Sequence, residues 1–235
     1  MRALGFALSL VVFGCTKNGN HANDPDAEMS VRHMEPSGSN TPKVHAEVGA
    51  LDEDKVNEAF AAARPAIDEC FRGANKGMRY KVVGGDIEVI VRVKNDGSVR
   101  WAYPRRSTLG HSATERCIIS VLERQNWPRP QGGEEGIAST NYGIDAPGRG
   151  AVEWSPGDLG DAGGELESRL RSCLRGGGGI EITIYVDPNG NVISAGAAVD
   201  DERSIDAIDC AIDEARGINY PSPGSYPAKV TVRVD

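Results

Sequence analysis

The side chains whose types and spacing could do chemistry in the patterned part of this chain are few. They are four cysteines, one histidine and one run of carboxylates. Cys70, Cys117, Cys173 and Cys210 stand far apart, with no CxxC pair to act as a dithiol reagent. His111 opens a helical stretch and is the candidate general acid or base of an enzyme. Asp200-Asp201-Glu202 offers three adjacent carboxylates to a hard cation, or simply negative charge to the start of the following helix. RGGGG at 175–179 follows a helix and precedes a strand, the reverse of a phosphate-cradling loop, and reads as a helix stop. No nucleophile motif and no HExxH-type metal pair is present. His21, His33 and His45 recur every 12 residues, a spacing that suits no compact metal site on one helix or hairpin.

The fifth cysteine, Cys15, belongs to a different kind of chemistry. Arg2 and an apolar run from Ala3 to Phe13 precede it, the pattern of an export signal too short to cross a bilayer as a retained helix. Val12-Phe13-Gly14-Cys15 resembles the bacterial lipobox, whose cysteine is lipidated; Val12, Gly14 and Cys15 fit and bulky Phe13 departs. An ordinary signal peptide with an incidental cysteine is the alternative. The lipoprotein reading is preferred because setting Cys15 aside leaves an even set of four. Thr16 and Lys17 follow, with no Asp as inner-membrane retention signal, which implies an outer-membrane lipoprotein facing the periplasm. Residues 16–48 are rich in Asn, Ser, Pro, Gly and His without sustained periodicity, and read as a tether.

Beyond the tether the elements are legible. Val56, Phe60, Ala63, Ile67 and Phe71 recur at helical spacing, with Pro65 predicting a kink or a fresh start. Gly73 to Gly85 carries Lys76, Arg79 and Lys81 around Met78 and Tyr80, either a basic-aromatic contact loop or a solvated extension. Ile87, Val89, Val91 and Val93 alternate as a half-buried strand, Asn95-Asp96-Gly97 turns, and Val99 to Tyr103 returns. A second helix has Ala113, Cys117 and Val121 on one side, with Ile118 and Leu122 beside them. WPRP and a glycine turn then lead to a strand around 137–144.

The whole arrangement recurs. Gly97 to Cys117 and Gly190 to Cys210 are both 20 positions, and Pro128 and Pro221 each lie 11 further on. IDECF at 67–71 matches LRSCL at 170–174. The second copy has Leu166, Leu170 and Leu174 on its first helix. Its hairpin carries Ile180, Ile182, Ile184 and Val186, and Ile205, Ile208, Ile212 and Ala215 form the stripe of its second helix. Val230, Val232 and Val234 make its last strand. A period near 95 residues means tandem domains, not a solenoid. Charge is shared unequally. Residues 48–146 hold 14 basic and 14 acidic side chains, and residues 158–235 hold 7 and 14. The net charge of −8 argues against nucleic acid as a partner.

IDECF, the strand–DG–strand hairpin, STLGHSATERC and WPRP with its glycine turn resemble the C-terminal domain of TonB-type proteins. The match is to the variant with a cysteine pair found in gliding-motility and related envelope proteins. The resemblance covers the first copy throughout and the second mainly in spacing. It implies an α+β chain of two αββαβ domains, each with two helices on one face of a short antiparallel sheet. The boundaries expected are 1–15 signal, 16–48 tether, 49–146 first domain, 147–157 linker and 158–235 second domain. In an oxidising compartment the matched cysteines read as Cys70–Cys117 and Cys173–Cys210 disulfides. The implied function is a non-enzymatic, lipid-anchored envelope adaptor with no cofactor, metal or small-molecule substrate. It would bind envelope proteins by adding a strand at the final-strand edges, around Tyr142 and Ile144 in one domain and Lys229, Thr231 and Arg233 in the other. The alternative is an envelope or secreted enzyme using His111 or Asp200-Asp201-Glu202.

Lipidation predicts a change of compartment. Cys15→Ser is expected to move the protein from the membrane to the soluble periplasmic fraction. A variant that stays in the membrane with its signal uncleaved would show that the apolar segment itself is the anchor.

Overall fold

A computed structural model describes residues 49–175 and 177–235. Residues 1–48, on which the expected export signal, Cys15 and the expected tether with its three histidines fall, lie outside the described residues. Those residues form a mixed α+β structure with four α-helices and two small sheets.

The first sheet has the order β2-β1-β3, from β1 (Gly85–Lys94), β2 (Val99–Ser107) and β3 (Glu135–Ile144). Alternation along β1 buries Ile87, Val89, Val91 and Val93 completely on one face. Ala138, Tyr142 and Ile144 of β3 share that face. Against it lie α1 (Glu53–Gly73) and α2 (Ser112–Glu123), which contribute Phe60, Ile67, Phe71, Ile118 and Leu122 to the same core. Of the two expectations at Pro65, a kink or a fresh start, the fresh start does not occur, since α1 is continuous through it. Pro65 is on the solvent side, where water can satisfy the carbonyl that loses its donor. In α2 the buried side is Thr114, Ile118, Val121 and Leu122, whereas Ala113 and Cys117 are exposed.

The second sheet has the order β4-β7-β5-β6. Its strands are β4 (Val152–Trp154), β5 (Ile180–Val186), β6 (Val192–Val199) and β7 (Ala228–Val234). Helices α3 (Asp161–Cys173) and α4 (Ala207–Arg216) cover the face made by Ile180, Ile182, Ile184, Val230 and Val232. The stretch expected as a linker supplies β4, which runs parallel to β7 and pairs Val152, Glu153 and Trp154 with Ala228, Lys229 and Val230. The first part of β7 is therefore not an open edge. A segment preceding the sheet in sequence covers it, an option that inspection of the chain's last residues alone does not reveal.

The same local clip closes both hairpins. Gly97 and Gly190 turn with φ of 86° and 85°, conformations that glycine adopts at little cost. The Gly97 carbonyl accepts from the Trp127 N–H at 3.3 Å, and the Gly190 carbonyl from the Tyr220 N–H at 3.1 Å. Each ring then donates into its own helix end: Trp127 Nε1–H to Leu122 O at 3.1 Å, and Tyr220 O–H to Ala215 O at 3.0 Å.

The two disulfides are Cys70–Cys117 and Cys173–Cys210, with Cα–Cα distances of 5.8 and 5.9 Å. The first joins α1 to α2 and the second joins the end of α3 to α4. The two cores are also stitched together. Tyr185 of β5 belongs to the first, and Ile90 and Tyr103 of the first sheet belong to the second.

Cross-linking residues 47 apart removes about 4 kcal/mol of loop-closure entropy from the unfolded chain at most. Cys70→Ala/Cys117→Ala is expected to lower the urea midpoint by up to that equivalent. An unchanged midpoint would mean that the bridge adds nothing to the packing of α1 on α2.

Candidate functional site

Between α2 and α4 an apolar groove of about 230 Å³ opens where the two sheets meet. Its walls come in pairs 93 positions apart: Pro104 and Ala197, Ser112 and Ile205, Glu115 and Ile208, Arg116 and Asp209, Ile119 and Ile212. Corresponding positions of β2–α2 and β6–α4 thus face one another, as in an isologous contact between two subunits. Arg116 and Asp209 form an ion pair across the rim at 3.0 Å.

The filling of this junction is not symmetric. Glu115 is 3% exposed; its carboxyl accepts from Ser107 Oγ at 2.6 Å, and the backbone at Gly110, His111 and Ala197 also favours its charged form. Only glycine fits beneath it, because a Cβ at Gly196 would overlap both carboxylate oxygens. The positions corresponding to Glu115 and Gly196 hold Ile208 and Tyr103. A charge over a glycine on one side is matched by an aliphatic chain and an aromatic ring on the other. Burial pushes the Glu115 carboxyl up to about 7, while Ser107 and that backbone pull it the other way. Burial likewise pushes the Tyr103 hydroxyl up to about 12.

Neighbouring bonds hold the halves in one orientation. Thr183 Oγ1 donates to Ser107 O at 2.9 Å, Ser194 Oγ to Gly110 O at 2.6 Å, and the Ser107 N–H to Glu181 at 3.0 Å. Arg92 of β1 faces Glu202 at 3.6 Å.

The residues singled out in the sequence do not converge on this groove. His111 caps α2: its Nδ1 accepts from the Thr114 N–H at 3.3 Å and lies 2.8 Å from Thr114 Oγ1. Burial, followed by the charge of Arg216, lowers its pKa. The three adjacent carboxylates each meet a different arginine, Asp200 with Arg233, Asp201 with Arg203 and Glu202 with Arg92. No group of three or more potential metal ligands occurs among the described residues.

Tyr142 and Ile144 are buried against the helices. Lys229 Nζ donates to Gly84 O at 2.9 Å, Thr231 Oγ1 lies 2.8 Å from Thr183 Oγ1, and Arg233 pairs with Asp200 and Asp235. These five residues do not share one surface. Glu115 and Arg116 lie within STLGHSATERC but were given no role there, and Gly196 and Asp209 carried no motif. The 93-residue offset signals the Arg116–Asp209 pair, whereas Glu115 and Gly196, 81 positions apart, are matched only in the folded chain.

The Glu115 proton sets a pH dependence. The folded protein holds it more tightly than the unfolded chain, so its contribution to stability is complete below the ordinary 4.5 and is lost as pH rises to about 7. Over that range the slope is on the order of 1 kcal/mol per pH unit. Glu115→Gln should flatten this part of a urea-midpoint-versus-pH curve. If the two curves stay parallel, Glu115 is already ionised at the acid end.

No protein-family model matches the chain, and neither the curated proteins nor the solved structures contain a significant match.

Proposed function

We propose that this protein is a non-catalytic adaptor of the bacterial cell envelope. It is exported, lipid-anchored through Cys15, and built from two tandem TonB C-terminal-like units. The element order αββαβ in both halves supports the tandem reading, with β4 added to the second. So does the Gly–aromatic clip, repeated 93 positions on, and so does a helix-to-helix disulfide in each half, whose second cysteines, Cys117 and Cys210, keep the same offset.

The observation that carries the binding role is the groove itself. Ile119, Ile205, Ile208 and Pro104 present a half-open aliphatic surface, and the charged pair at its rim is already satisfied internally. Its volume falls below the roughly 300–1,000 Å³ of sites that enclose a small-molecule ligand. It suits one or two aliphatic side chains of a protein segment seated between two helices. No nucleophile–base pair lines it, and Glu115 is spent on Ser107 and the backbone beside it. The coarser expectation of capture at a sheet edge now attaches to the first sheet, since β4 occupies the start of the β7 edge.

A photo-crosslinking side chain at Ile208, in cells with an intact envelope, is expected to give one discrete protein adduct. Ile205→Glu should abolish that adduct without shifting the urea midpoint, and the same probe at Glu167 on α3 should give none. Equal labelling from Glu167, or an adduct insensitive to Ile205→Glu, would show that the groove is only a seam between the halves.

A further inference from the structure

The 74–84 segment, which has no counterpart in the second half, makes a surface unlike the rest of this acidic molecule. It is held firmly. Asn75 Nδ2 donates to Val83 O and Asn75 Oδ1 accepts from the Val83 N–H, both at 2.9 Å. At its end Gly84 is clasped by the second sheet: its N–H donates to Tyr185 Oη at 3.1 Å, and its carbonyl accepts from Tyr185 Oη at 2.8 Å and Lys229 Nζ at 2.9 Å.

This framework sets Tyr80 edge-on to Tyr226, with ring centroids 5.9 Å apart. Arg79 lies over the Tyr80 ring at 5.3 Å and Arg149 over the Tyr226 ring at 4.3 Å. The Tyr226 hydroxyl donates to Arg149 O at 2.9 Å and fixes that end. Both guanidinium groups are exposed, as are the Lys76 and Lys81 side chains of the same segment. Among the described residues none of these four cations has a carboxylate partner. Arg64, Arg72, Arg169 and Arg233 are ion-paired, whereas Arg124 and Arg129 have no carboxylate partner among the described residues, so what sets this patch apart is the two tyrosine rings beneath its arginines.

We infer that the Arg79–Tyr80–Tyr226–Arg149 ladder is a docking surface for a short acidic peptide segment of a protein partner. Cation–π attraction biases each exposed guanidinium toward its ring, and a guanidinium so placed is able to make bidentate contact with a carboxylate. Each ring already has one guanidinium group over it, so the surface leads with cations. Net charge narrows the partner further. A membrane surface or a nucleic acid extends far beyond the patch and meets the repulsion of a chain with net charge −8. A short acidic segment feels mainly what lies within about one Debye length, ~8 Å. This surface is separate from the α2–α4 groove, so the two readings stand or fall apart.

The test is fluorescence anisotropy with labelled dodecaglutamate and the purified full-length chain. Wild type is expected to bind, more weakly as salt rises. Arg79→Ala/Arg149→Ala should lose about tenfold or more in affinity. Tyr80→Leu/Tyr226→Leu keeps every charge and should also weaken binding, because it releases the guanidinium groups. Arg124→Ala/Arg129→Ala removes two cations elsewhere and should change nothing, and Ile208→Glu should likewise leave binding intact. Circular dichroism melting confirms that each variant is folded. Equal loss from Arg124→Ala/Arg129→Ala, or no loss from the tyrosine pair, overturns the proposal in favour of unspecific attraction. Binding to phosphatidylglycerol vesicles but not to the peptide overturns it in favour of a lipid surface.

Discussion

A carboxylate removed from water has to be satisfied, and Glu115 is the point at which this chain meets that demand. An ionisable group 3% exposed is tolerable only when donors surround it. Here Ser107 Oγ donates from the first half, and backbone at Gly110 and His111 of that half and at Ala197 of β6 favours the charge. Sliding one half against the other would take the Ala197 backbone away from the carboxylate and drive it into the backbone at Gly196. The junction therefore has one register. The Thr183–Ser107 and Ser194–Gly110 bonds, the floor of the groove and the meeting of Tyr80 with Tyr226 all follow from it.

Each half is held by a staple within its second helix and a clip at that helix's C-terminal end. The disulfide ties the body of α2 or α4 to the preceding helix. The Trp127 or Tyr220 ring ties the far end to the hairpin turn, so helix and sheet cannot rotate independently. Small sheets with two helices bury little surface, and such local constraints supply a large share of their stability. Once each half is rigid, the α2–α4 face can act as a defined groove.

The two halves differ most where partners would meet them. The first half is electrically balanced and carries the extra 74–84 segment, whereas the second carries 7 basic against 14 acidic residues from 158 to 235. Cations held on an aromatic ladder beside an acidic body create a strong local contrast of potential. On the proposed adaptor reading, one apolar groove and one cationic patch would present two chemically different contacts on a single frame.

Much of the fold was determined by local pattern. Alternation at 87–93 and 180–186, helical spacing from Val56 to Phe71, the Gly97 and Gly190 turns and the paired cysteines each report on a strand face, a helix face or a turn. Their physical cause lies within a few residues of chain. Local pattern erred where the partner was remote. Pro65 is tolerated because its face is solvent, Ala113 is exposed because α2 is rotated toward Thr114 and Ile118, and the 147–157 stretch became β4 because β7 had an edge to fill. Tertiary structure alone decided the site. Glu115 reads as one more helix carboxylate until β6 arrives over it. Arg79 and Arg149 are 70 positions apart in sequence and meet only because Tyr80 and Tyr226 do. Periodicity records which way a side chain points, and says nothing of what a second, distant element brings to face it.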